Sequence, residues 1–330
     1  MKVGVLQFFG WVDRQAPLVS VYQRAIERFE IMDRTGYDAV WLAEHHFSGF
    51  SVCPSVHMMA TMAAARTSRL RIGTAVSLAP FYHPLRLAEE VALLDVLSGG
   101  RVNWGAGRGF SRGEFEAFGV PPEESTSRFR ETVEIVLRAW SDERLTYHGE
   151  HFSFDGIEVL PKPMQRPLPP VWMAATSESA IDWAAGRGFS ILMDPHCTHA
   201  ELGAKHARYR EQLTAAGFST AGRDIPMARL IAVAPTAERA AEVARRGAEW
   251  MLGSYIGPQH NTALKDQRNY GEADPADVYV NDVIVHGTVE SVRDQLLALK
   301  ESAAMNYLLC APLSRQSFSL LTDKILPAIG

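Results

Sequence analysis

Short apolar runs rich in Val, Ile and Leu alternate along this chain with longer stretches whose apolar residues recur at helical spacing. Val3 to Phe8 reads as a buried strand; residues 18 to 36 then set Leu18, Tyr22, Ala25, Ile26, Phe29 and Met32 on one helical face that ends at Gly36. Further strands are predicted over Asp38 to Ala43, Leu70 to Leu78, Val102 to Ala106 and Val171 to Ala175. Ser190 to Met193, Met227 to Ala234 and Tyr307 to Ala311 complete the set. Helices are expected near 55–66, 84–97, 112–118 and 125–140, after the capping box Thr198-His199-Ala200-Glu201, and at 314–328. Strands that are apolar throughout belong to a parallel sheet covered on both faces. Eight such units favour an α/β TIM (β/α)8 barrel, and no G-x-G-x-x-G turn follows the first strand to argue for a doubly wound sheet.

Two segments break the alternation. Residues 144–160 carry alternating aromatics around Gly149 and Gly156 and read as an inserted hairpin. Residues 253–285 hold Tyr255, His260, Arg268, Tyr270 and Tyr279 among Gly, Asn, Asp and Pro without a clear period, and are expected to form a long lid-like loop. Residues 1–330 are otherwise read as a single domain.

Composition narrows the class. A chain of 330 residues, 47% hydrophobic, can bury a sizeable core. Its formal charge of −5, with no basic run or basic helix face, argues against nucleic acid and anionic membranes as partners. No apolar stretch approaches the roughly 20 residues of a membrane-spanning helix. Met1 to Val5 opens directly into a strand pattern, and Cys53, Cys197 and Cys310 stand far apart. A cytoplasmic protein without a metal cluster is therefore expected.

Barrel enzymes carry their chemistry at the C-terminal ends of the strands. The second strand ends in Glu44-His45-His46-Phe47, the fourth in Gly105-Ala106-Gly107-Arg108-Gly109-Phe110, and the fifth in Ala175-Thr176-Ser177 at a helix start. Hydroxyls and free amides at a helix start favour phosphate, and Arg128, near another helix start, offers a second guanidinium. Each residue also has a plain reading: the histidines as structural, Arg108 in a salt bridge, Ser177 as an N-cap. The two imidazoles lack a third ligand at metal-binding spacing. On spacing alone, a phosphate-bearing ligand and a structural role stand level.

The runs Gly36 to Phe47, Ile72 to Val76, His83-Pro84-Leu85-Arg86, Leu94-Asp95, Ser98 to Arg101 and Gly105 to Gly109, in this order, resemble the bacterial luciferase family. The likeness continues more thinly through Pro170 to Trp172 and Ser177 to Trp183 to His286-Gly287-Thr288. It implies a flavin-dependent monooxygenase that uses FMN as FMNH2, supplied by a separate NAD(P)H:FMN reductase, with O2 and a small organic substrate, through a C4a-peroxyflavin. The resemblance makes His45 the catalytic histidine, with Glu44 either orienting the pair or closing a strand-end salt bridge, and His46 equally at a subunit interface with Glu89. It makes Arg108, Arg128 and Ser177 phosphate ligands beside the Thr176 backbone, sets a cis Ala75-Val76 peptide against the flavin, and brings Trp250 near the ring. Gly107 stands where bacterial luciferase has a cysteine, which leaves more room beside the ring, and Ala180 replaces a hydroxyl. An F420-dependent oxidoreductase of the same superfamily and a non-catalytic flavin-binding subunit are the alternatives. Aldehyde, ketone, alkanesulfonate and aromatic substrates stay open, with no cationic cluster pointing to a sulfonate. The helices at 55–66 and 85–97, with Met58, Met59 and Met62, carry more apolar residues than one barrel wall needs, so a homodimer is expected.

Overall fold

The computed structural model describes residues 1–193, 195–254 and 273–330. Along the chain the strands are β1 (Lys2–Gln7), β2 (Ala39–Leu42), β3 (Arg71–Thr74), β4 (Ser77–Leu78) and β5 (Val102–Gly107). β6 (Leu145–His148) and β7 (Ser153–Ile157) follow, then β8 (Val171–Ala174), β9 (Ser190–Leu192), β10 (Pro226–Val233), β11 (Val285–Gly287) and β12 (Tyr307–Pro312). The helices that matter for the site are α1 (Leu18–Thr35), α2 (Val56–Arg66), α3 (Pro84–Leu97), α4 (Arg112–Phe118) and α5 (Ser125–Ser141). α6 (Glu178–Ala185), α7 (His199–Ala215) and α8 (Ala237–Ser254) complete that set. α7 begins with the reciprocal capping box of Thr198 and Glu201 that its sequence announces.

Alternation of side chains explains how one strand serves two layers. In β1, Val3 and Val5 join the outer core beneath the helices, whereas Leu6 joins an inner cluster with Trp41, Trp172 and Leu230. All pairings around the main sheet are parallel, in the order β10-β12-β1-β2-β3-β5-β8-β9. The sheet curls until its ends meet, where Met193 bridges Met227 and the Met193 amide donates to the Pro226 carbonyl at 3.4 Å. β11 takes up the remaining edge of β10, with Ile231 opposite Val285. With three residues it is too short to carry a legible strand pattern.

The strand expected over Leu70 to Leu78 is broken in two. Its pairing with β5 ends at Gly73 opposite Asn103 and resumes at Ser77 opposite Ala106. Between them the Thr74 hydroxyl donates to the Gly105 carbonyl at 2.7 Å and accepts from the Gly105 amide at 2.9 Å, replacing the missing ladder bonds. The Ala75–Val76 peptide that follows is cis. β6 and β7 pair antiparallel, Tyr147 opposite Phe154, and their turn is held by the Glu131 carboxylate, which accepts from the amides of His151 and Phe152.

Of the segment expected to be a lid, residues 255–272 lie outside the described residues. The remainder differs from the expected structureless loop: Pro275–Val278 is helical, Tyr279–Val283 forms a π turn, and Tyr279, Val283 and Ile284 are buried in the inner cluster. Clustered Asp and Pro conceal a helix start here, because Asp274 accepts from the Ala276 amide as N-cap. Among the described residues no helix is long and apolar enough to cross a membrane, and no group of three or more His, Cys, Asp or Glu could hold a metal ion.

Gly105 sits where no side chain fits, since a Cβ there would overlap the Thr74 carbonyl oxygen and the Leu192 side chain. Backbone on backbone cannot yield by a rotamer change. Gly105→Ala is expected to destabilise the fold by about 2 kcal/mol or more. Urea unfolding of the two proteins measures it, and equal midpoints would contradict the close approach.

Candidate active site

Consecutive strand ends β1, β2, β4, β5 and β8 form an arc, and the residues singled out by sequence lie along it. At the β2 end, Glu44 is fully buried. Its carboxylate pairs with His46 Nε2 at 3.0 Å and accepts from Tyr82 Oη at 2.8 Å. The His46 amide in turn donates to Glu114 at 3.0 Å. Burial, and then Glu44, push the Tyr82 phenol up, so it stays a donor. Glu44 is thus engaged with His46 and Tyr82.

His45 lies in an aromatic setting. Its ring meets the Phe50 ring edge-on at 5.1 Å and the Phe8 ring at 6.4 Å. Phe50 stacks on Trp250 at 5.1 Å, which brings α8 to the histidine's side of the arc. Burial pushes the His45 imidazole down to about 3, with His46 and His196 adding to the shift. At neutral pH it is an uncharged ring able to accept or pass a proton, and not a fixed positive charge.

The floor of the arc is made of small groups. A Cβ on Gly107 would overlap the Val76 side chain and touch Ala174. The extra room expected at Gly107 is therefore already filled by Val76. Ser77, at the start of β4, accepts or donates at 3.0 Å with Nε2 of the buried His57, whose Nδ1 lies 2.9 Å from Glu90. His57 is a positioning residue that sequence reasoning missed, because a histidine inside a helix carries no strand-end signal.

Beyond the floor the polarity changes sign. Arg108 follows β5 and donates to Ser125 Oγ at 3.1 Å. Partial desolvation lowers its pKa, and no carboxylate among the described residues offsets it. Register between β5 and β8, Ala106 opposite Met173, sets Arg108 beside the strand end that leads to Thr176 and Ser177. Both are exposed, and Ser177 caps α6 by accepting from the Ala180 amide at 3.3 Å. Arg128 lies one turn along α5 from Ser125, but its guanidinium is taken by Glu124 at 2.7 Å. The residues fit a phosphate group on one count, the acid-free Arg108 beside a helix start, while Arg128 reaches an anion only by sharing with Glu124.

Two further residues belong to the mouth. His196 is buried after β9, near enough to lower the proton affinity of His45, and Tyr279 lies 6.1 Å from it. The buried Arg229 donates to the Cys197 carbonyl at 3.0 Å and fixes this loop. A histidine three residues past a predicted strand was a usable signal, passed over beside the stronger capping box.

The luciferase-like monooxygenase family profile matches residues 1–306. The chain belongs to this family. An uncharacterised Sinorhizobium fredii protein, y4wF, is 34% identical over 281 residues, 85% of this chain and 82% of that one. The oxygenase component of a flavin-dependent trigonelline monooxygenase from Acinetobacter baylyi is 32% identical over 186 residues, 56% of this chain and 51% of that protein. The match thus spans about half the length of that relative. Among solved structures, monooxygenase RslO1 from Streptomyces bottropensis superposes with a TM-score of 0.87 at 25% identity over 100% of both chains. An F420-dependent secondary alcohol dehydrogenase shares the fold, with a TM-score of 0.80 at 18% identity over 100% of this chain and 99% of that one. Luciferase-like members are flavin monooxygenases, and F420-dependent proteins share their architecture.

The depressed His45 pKa has a sign that can be tested. Above about pH 6.5 the ring is neutral folded and unfolded; below it the unfolded chain takes a proton that the folded site refuses. Stability therefore falls as pH drops from 6.5 toward about 3, with His199, pushed down to about 4 by burial and then Arg229, acting in the same direction. Urea unfolding should show His45→Asn losing less stability than the parent between pH 6.5 and 5, by at most about 2 kcal/mol. Parallel losses would contradict a neutral buried imidazole.

Proposed function

We propose that the chain is an FMNH2- and O2-dependent monooxygenase that receives reduced FMN from a separate reductase and oxidises a small organic substrate. The observation that carries this reading is Arg108: a guanidinium at a strand end, bonded to a hydroxyl, opposed by no carboxylate among the described residues, and next to a helix start. That combination suits a terminal phosphate monoester. When bound, reduced flavin supplies two electrons to O2, so that one oxygen atom enters the substrate and the other leaves as water.

This chain's residues do the rest. Arg108, Ser177 and the Thr176 backbone would hold the phosphate, with the Arg128 guanidinium divided between it and Glu124. Gly107 and the Ala75–Val76 peptide would form the floor beneath the ring. Phe8, Phe50 and Trp250 exclude water from the side where His45 stands. His45, uncharged at rest, would relay a proton at the substrate without holding it as a cation. Glu44 acts as a positioning residue, through His46 and Tyr82. The trigonelline monooxygenase is by its name an oxygenase component, which supports a reductase as the second protein. A homodimer through α2 and α3 completes the reading: Met58 is 75% exposed, Met62 42%, Leu93 47% and Leu97 58%, apolar side chains on two helices that a second copy would cover.

Arg108→Ala is expected to weaken FMN binding tenfold or more and to leave riboflavin binding within twofold, because only FMN carries the phosphate. Fluorescence titration with both flavins measures this. Equal losses would remove the phosphate assignment, and tighter binding of F420 than of FMN would favour the hydride-transfer reading.

A further inference from the structure

The fold assembles a cationic cavity that no stretch of sequence announces. Over the C-terminal ends of β1, β10 and β12, between α1 and α8, lies a cavity of about 550 Å³, within the range of small-molecule sites. Arg24 and Arg28 of α1, Arg239 and Arg246 of α8, and Arg315 after β12 all line it. The expectation of no cationic cluster is thereby overturned: residues up to 291 positions apart (24 to 315) meet because β12 pairs with β1.

Little inside the cavity neutralises these charges. Arg239 pairs with Glu242 at 2.5 Å, and Arg315 lies 3.8 Å from Glu27. Arg24 donates to Ser20 at 2.9 Å; Arg28 donates to Gln7 at 3.4 Å and lies over the Phe318 ring at 5.1 Å. Neither of these two, nor Arg246, meets a carboxylate among the described residues. Burial lowers the Arg28 pKa, and Arg24 and Arg315 lower it further, as like charges crowded together do. The rest of the wall is apolar, with Val21, Val243, Leu313 and Trp250. Trp250 is also the partner of Phe50, so the cavity ends on the stack that borders His45.

The half-buried Arg28 guanidinium, with the exposed Arg24 and Arg246 lining the same largely apolar cavity, is complementary to an anion with a hydrophobic body. We propose that this cavity is a second ligand site, apart from Arg108, for an amphipathic organic carboxylate. The carboxylate sits among Arg24, Arg28 and Arg246, and the apolar body lies against Val21, Val243 and Trp250. None of these arginines belongs to the arc around Gly107 and Arg108; the cavity shares only Phe8 and Trp250 with the aromatic side of His45, and the Arg108→Ala arm of the test keeps the two sites distinguishable.

Isothermal titration of the full-length protein with 2-naphthoate tests it. Binding should be saturable, with 2-naphthylmethanol and inorganic phosphate each at least tenfold weaker, because one lacks the charge and the other the apolar body. Arg28→Gln and Arg246→Gln should each weaken naphthoate tenfold or more, whereas Arg108→Ala should leave it unchanged. Arg246 is exposed, so Arg246→Gln decides the matter where Arg28→Gln fails to fold. The proposal is overturned by unsaturable naphthoate binding, by equal affinity for the alcohol or for phosphate, by unchanged affinity in Arg246→Gln, or by loss of binding in Arg108→Ala.

Discussion

The mouth of this protein depends on the exchange of hydrogen bonds between the Thr74 side chain and the Gly105 backbone. Parallel strands that stay in register leave no freedom for a surface other than the sheet itself. By satisfying Gly105 with a hydroxyl, the chain releases Ala75 and Val76 from the ladder without leaving buried backbone groups unpaired. Val76 then packs on Gly107, and Ser77 resumes pairing under the hold of His57. The exchange requires glycine at 105, because the Thr74 carbonyl occupies the space of a Cβ.

On either side of that floor the chain builds opposite electrostatic environments. Toward β1 and β2 the ring of the half-buried His45 meets Phe8 and Phe50, with Trp250 stacked behind Phe50, and desolvation keeps it neutral. Toward β5 and β8 the cation of Arg108 lies among hydroxyls and a helix start. A ligand with an apolar ring system and an anionic tail matches this division, and the reading as a flavin site rests on it. The buried Glu44 carboxyl is held by Tyr82 and His46, which fixes the β2 end.

What sequence could disclose follows from the range of each interaction. The strand–helix alternation, the capping box at Thr198 and the strand ends at His45 and Arg108 are written in consecutive residues, so they were legible. The break between Thr74 and Ser77 was not, since it depends on a contact with Gly105 across the sheet. Arg128 was visible as a cation, and its Glu124 partner four residues earlier was visible too. Arg24 with Arg28 and Arg239 with Arg246 share helix faces at legible spacing, but only closure of the sheet brings those two faces and Arg315 to one cavity. The aperiodic composition around Asp274 reads as loop, yet Tyr279 and Val283 belong to the inner core through a π turn that has no simple repeat.

The account's central claim is oxygen transfer with reduced FMN at this mouth. The most direct measurement supplies the protein with FMNH2, 18O2 and a panel of aldehydes, ketones and aromatic acids, followed by mass spectrometry of the products. The account predicts a product carrying a single 18O atom with FMNH2, absent without the protein and diminished in Arg108→Ala. Substrate oxidation with F420 and no 18O incorporated would contradict it.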